Sequence, residues 1–266
     1  MNMTLLALLA ATLLAGVGSV WLAALLGFGI LARYTQHMLS LAAGALLATA
    51  FMHLLPEAFE SQVSADQLFP TLLVGLIFFF LLDKAELWHH GHEHHHGHDH
   101  AHVHAHDHAD SQAPARPGGS WAILTGDSVH CFGDGVLIAS AFVADIRLGV
   151  VAALAVLMHE VPHHMGDLAV LRQASDNRRM ALVKVSLAGG LTALGGVVGF
   201  FLVAQLEAYL PYFLAIASSS FLYVALADLS PQLQKKLSAR ETLAQIVWLA
   251  VGMGMVTLAS SLTHSH

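Results

Sequence analysis

Residues 148–171 read LGVVAALAVLMHEVPHHMGDLAVL. The run is apolar at both ends and long enough to cross a bilayer, which takes about 20 residues of helix. Yet its middle carries His159, Glu160, His163, His164 and Asp167. H-E-x-x-H on a helix is also the pattern of zinc hydrolases, with two histidines one turn apart and a glutamate base between them. The stretch is therefore either a catalytic zinc centre or a place where a membrane helix holds metal for another purpose.

The rest of the chain favours a membrane setting. Of 266 residues, 56% are hydrophobic and 11% charged, against about 25% charged in a soluble domain. Apolar runs recur from end to end and predict an all-α, polytopic membrane protein with eight spans, at 3–30, 36–56, 69–88, 121–144, 148–171, 181–206, 210–229 and 242–263. The first run has no basic start and outlasts a signal peptide, so it is read as a span. The expected organisation is helices 1–3 over 1–88, a histidine-rich loop over 89–120, helices 4–5 over 121–171 and helices 6–8 over 172–266.

Charge orients this layout. Arg33, Lys84, Arg116, Arg172, Arg178, Arg179, Lys184, Lys235, Lys236 and Arg240 all fall on one side, and Arg147 on the other. The positive-inside rule makes the first side cytoplasmic and both termini extracytoplasmic. The short loops point to a prokaryotic inner membrane. FMHLLPEAFE (51–60) and YVALADLSPQL (223–233) pair a proline with polar residues at oppositely directed helix exits. That is the mark of an inverted repeat relating spans 1–3 to spans 6–8.

Residues 89–108, HHGHEHHHGHDHAHVHAHDH, hold twelve of the twenty histidines. Such a composition cannot bury a core, and neutral imidazoles bind zinc, nickel and copper. His94, His95, His96, His98, His100, His102 and His104 are the expected cytoplasmic capture set. The alternative is a solvated linker that gains charge as histidine protonates below about pH 6.5.

Within the membrane, Asp127, His130, Cys131 and Asp134 recur in TGDSVHCFGDGVLIASAF (125–142) at three- and four-residue spacing, along one helix face. His159, His163 and Asp167 form one row on the next helix, and Glu160 and His164 lie on a neighbouring one. A short turn would bring both stripes to one depth. Each ionisable group there costs roughly 3 kcal/mol or more, and carboxylates in excess of cationic groups call for a divalent ion. Pro162 cannot donate to the Met158 carbonyl, which loosens the helix beside the ligands. This suits an ion path better than a regular hydrolytic H-E-x-x-H turn.

HCFGDG (130–135), HEVPHHMGD (159–167), HLLPEAF (53–59), FLYVALADLSP (221–231) and SLTHSH (261–266) together resemble the ZIP family of divalent-metal transporters over nearly the whole chain. The resemblance implies a 3+2+3 arrangement of eight helices, no covalent chemistry, no required cofactor, and movement of zinc, or of iron, manganese or cadmium, into the cytoplasm. It implies a primary site of His130, Asp134, His159 and His163, with Cys131, Glu160 and Asp134 lining a second. It puts the lipid bilayer and the metal ion among the partners, with a homodimer as a further expectation and no nucleic acid. Two positions depart from the family pattern. Cys131 stands where the family has asparagine, and soft sulfur favours zinc or cadmium over manganese. His164 stands where the family has glutamate, which should weaken the second site. Asp127, Asp167, His53, Glu57 and Asp228 are further candidates along the path. Two other readings stay open: an intramembrane zinc protease using His159, His163 and Glu160, and a proton-coupled metal exporter.

Overall fold

The computed structural model describes residues 3–26, 35–91, 117–174, 177–233 and 237–264. Among these it is all-helical, with eight helices long and apolar enough to span a membrane. They are α1 (Met3–Leu26), α2 (Gln36–Phe59), α3 (Ala65–Gly91), α4 (Pro117–Ala144), α5 (Ile146–Ala174), α6 (Arg178–Gln205), α7 (Leu210–Leu233) and α8 (Ala239–His264). The chain is an integral membrane protein. The capture histidines, His94 to His104, lie outside the described residues.

Several helices begin earlier than the apolar runs suggested, because capping residues extend them past the hydrocarbon stretch. Asn177 Oδ1 accepts the Met180 N–H at 3.1 Å ahead of α6. Ser238 and Glu241 form a reciprocal capping box at the start of α8, with Ser238 N–H donating to Glu241 Oε2 at 2.8 Å and Glu241 N–H to Ser238 Oγ at 3.3 Å. Asp145, the one residue between α4 and α5, accepts the Arg147 N–H at 2.7 Å. That joint is as tight as an antiparallel helix pair allows.

α1 and α2 each contain a π turn, Leu14–Gly18 and Ala50–Leu54. The second carries His53 and precedes Pro56. α5 runs unbroken through Pro162.

The interior is built from small side chains. α4 crosses α6 so closely that a Cβ on Gly135 would fall on the Thr192 carbonyl, and one on Gly195 on the Phe132 carbonyl. Helices in lipid gain no hydrophobic drive from one another, so close backbone approach of this kind supplies the packing. Several buried hydroxyls are satisfied by their own helices: Ser218 donates to the Leu214 carbonyl at 2.8 Å and Thr49 to the Ala45 carbonyl at 2.9 Å.

α5 lies at the centre, against α1, α2, α4, α6 and α8, while α4 touches α1, α3, α5, α6 and α7. α3 packs on α7, α8 on α2, and α2 on α7. Large apolar side chains on α3 and α8, such as Leu73, Val74, Leu243 and Leu258, are more than half exposed. In a bilayer that surface meets acyl chains.

Candidate metal centre

α4 and α5, hinged at Asp145, bring their polar stripes side by side. The paired helices put Glu160 at the middle, fully buried, with a histidine on each side. His130 Nε2 lies 3.3 Å from Glu160 Oε1, and His164 Nε2 lies 3.1 Å from Glu160 Oε2. One carboxylate thus faces two directions at once.

On the Oε1 side, His130, His159 and Glu160 offer donor atoms within 4.8 Å of one another. The three imidazoles of His130, His159 and His163 have centroids 5.2–5.9 Å apart, and Asp134 Oδ2 sits 3.8 Å from His130 Nε2. On the Oε2 side, Asp127, Glu160, His163 and His164 form a second such group. Cys131 Sγ joins it, 3.6 Å from Asp127 Oδ1, 3.7 Å from Glu160 Oε2 and 3.8 Å from His164 Nε2. His163 Nδ1 is also 3.3 Å from Asp167 Oδ2, which carries the polar row one turn further along α5.

A cavity of about 200 Å³ lies against the first group. α4 and α5 supply Asp127, His130, Asp134, His159 and His163 to its wall, and α3 and α7 supply Phe79, Leu82, Ser220, Tyr223 and Ala227 opposite. Cys131, Glu160 and His164 do not line it and have no exposed surface. Both groups therefore reach the cavity, the first through His130 and His159 and the second through Asp127 and His163, with Glu160, Cys131 and His164 behind them.

Every α4 and α5 candidate is brought together here, although the partition differs from the one the resemblance implied. Glu160 sits between both groups instead of in the second alone, and His163 reaches towards both. His164, the replacement expected to weaken a second site, is packed among that group's donors. His53, half-buried, and Glu57, exposed, sit on α2 outside both groups. The side chain of Asp228 lies outside the described residues. Sequence reasoning missed Ser19, whose Oγ is 2.9 Å from His164 Nδ1, and the opposite wall, Ser220 and Tyr223. Ser19 carries no sequence signal, being 145 positions from its partner, and although Tyr223 falls within FLYVALADLSP, nothing in that stretch says that it faces the α4–α5 donors.

A family model described as ZIP Zinc transporter matches residues 2–260. Zinc transporter ZIP13 of Pongo abelii is 28% identical over 247 residues, covering 86% of this chain and 68% of that protein. Zinc transporter ZIP4 of Homo sapiens is 40% identical over 115 residues, 43% of this chain and 18% of that one. Zinc transporter foi of Drosophila melanogaster is 34% identical over 140 residues, 52% of this chain and 20% of that one. The chain thus spans about two thirds of ZIP13 but only about a fifth of the other two. All three relatives are named for zinc transport, and none of them supports the hydrolytic reading of HEVPH.

Proposed function

Because the chain belongs to the ZIP zinc transporter family, we propose that it carries zinc through the membrane by way of the cavity beside His130, Asp134, His159 and His163. The observation that carries this reading is access. Imidazole and carboxylate donors suited to zinc line a cavity whose opposite wall comes from other helices, α3 and α7. A permeating ion needs ligands on one side and room on the other. Iron, manganese and cadmium are further candidate cargoes, ranked below zinc by the imidazole-rich donor set.

The ends of the helices favour a cytoplasmic exit. Leu82, Asp127 and Ala227, on the cavity wall, lie close in sequence to Lys84, Arg116 and Lys235, the charges that the positive-inside rule assigns to the cytoplasm. Ions held by His130 and His159 would leave past Asp127 on that side, and both termini would lie outside the cell. The short loops favour a prokaryotic inner membrane, although the relatives named above are animal proteins. The histidine loop would gather ions at the cytoplasmic mouth.

The helix contacts support the inverted repeat. Exchanging α1 with α6, α2 with α7, α3 with α8 and α4 with α5 turns the contacts α1–α5, α2–α5, α3–α7 and α1–α4 into α4–α6, α4–α7, α2–α8 and α5–α6. All eight occur. Two halves related in this way can expose a central site to either side in turn.

Filling the cavity without touching a ligand tests the path. Ala227→Trp, on the wall opposite the donors, is expected to stop zinc influx into proteoliposomes while the protein still binds zinc and elutes as a folded species. Wild-type influx in that variant would place the path elsewhere.

A further inference from the structure

Ser218, Ser219 and Ser220 follow one another on α7, but they do not use their hydroxyls alike. Ser218 donates to the Leu214 carbonyl and Ser219 to the Ala215 carbonyl, each at 2.8 Å and four residues back along the helix. Ser219 also reaches the Leu72 carbonyl of α3 at 3.0 Å. Ser220 makes no such bond to a described residue. It is 4% exposed and lines the cavity opposite the histidines.

We infer that Ser220, with Tyr223 beside it, holds a water molecule on the passing zinc ion, so that the ion crosses the cavity partly hydrated. This role rests on the cavity being the path, and it gives a task to the wall that carries no metal ligands.

The ligand side leaves a place for that water. His130, His159 and Glu160 each bring one donor atom within 4.8 Å of the others. A working zinc site takes three protein ligands and keeps water in the remaining position. His130 and His159 border a cavity of about 200 Å³. A water's share of the liquid is roughly 30 Å³, so an ion can enter with water still attached.

The opposite wall decides where the water is held. An enclosed water needs roughly two to four polar partners. The side chains of Phe79, Leu82, Val224 and Ala227 offer none. Ser220 and Tyr223 bring hydroxyls, and three-residue spacing sets them on one face of α7. Water bound to a divalent cation is more acidic than free water, and so a stronger hydrogen-bond donor. The serine oxygen can accept from it while its own hydrogen stays available to another acceptor. A neutral hydroxyl also suits transit. A carboxylate at this position would bind the ion itself and hinder its departure.

The neighbouring serine supplies a control for packing. Gly75 of α3 lies so close to Ser219 that a Cβ there would collide with the hydroxyl. Ser219 therefore fills a helix contact, whereas Ser220 borders open space.

Initial zinc influx into proteoliposomes, measured over a range of zinc concentrations, separates the two roles. Ser220→Ala should raise the KM for zinc roughly tenfold and leave the detergent melt of the protein unchanged. Ser220→Thr, which keeps a hydroxyl, should bring the KM back towards the wild-type value. Ser219→Ala should do the opposite of Ser220→Ala, lowering the melt and leaving the KM alone. His159→Ala/Asp134→Ala is measured beside them. No influx in that double variant, together with a wild-type KM in Ser220→Ala, overturns the water-holding role and leaves the path standing. A KM raised as far in Ser220→Thr as in Ser220→Ala overturns it too, since shape and not the hydroxyl would then matter. Undiminished influx in the double variant overturns the path and the role together.

Discussion

α5 and α3 invert the usual rule for soluble proteins. Of the most apolar stretch of α5, a helix that carries HEVPHH, 61% is buried, whereas α3 and α8, with long apolar runs, bury only 11% of theirs. In water the apolar helix would be inside. In lipid, apolar surface gains nothing by hiding, while a charge placed against acyl chains costs several kcal/mol. The two helices with the polar stripes, α4 and α5, therefore lie inside, together with the apolar α2, whose interior face is built of alanines, while α3 and α8 face the bilayer. The candidate metal donors sit on α4 and α5 for the same reason that those two helices are enclosed.

Substitutions on the two sides should sharpen that contrast. The largest effect is expected at the α4–α6 crossing. Gly135→Leu drives a side chain into the Thr192 backbone, and about 3 kcal/mol or more of overpacking should appear as loss of folded protein in a detergent melt. On α3, Val74, 65% exposed, should behave oppositely. Val74→Leu should stay within about 0.5 kcal/mol of wild type, whereas Val74→Arg should lower membrane insertion by about 3 kcal/mol, read as the inserted fraction. Equal tolerance of leucine at both positions would break the comparison.

Smaller effects separate chemistry from packing. Cys131→Asn should shrink the preference for zinc and cadmium over manganese by roughly tenfold, measured by competition in proteoliposomes. Unchanged selectivity would remove sulfur from the account. Deleting residues 92–108 should reduce zinc uptake only at low external zinc and leave the maximal rate intact. A lowered maximal rate would make the loop part of the path.

Much of this was legible because a bilayer imposes length. The eight helices coincide with the apolar runs, and the differences lie at capped ends such as Asn177 and Ser238, where hydropathy falls but hydrogen bonding continues the helix. The residues of the centre were legible as polar positions that a membrane helix does not carry without cause. Their grouping was not. Helical spacing places Glu160 on a face but cannot say that its two oxygens point to different partners. Nor can it bring Ser19 to His164, because that contact depends on how α1 packs. His164 shows the limit most plainly. Read as a lost carboxylate it suggested a weaker site, and its burial beside Cys131 and Asp127 could not be read from the spacing.

The most direct test of the central claim is zinc influx into proteoliposomes, wild type beside His159→Ala/Asp134→Ala, with zinc binding measured on the same preparations. Transport through the open site predicts saturable influx in the wild type and none in the double variant. Equal influx in both would contradict it, as would no influx in folded, zinc-binding wild-type protein.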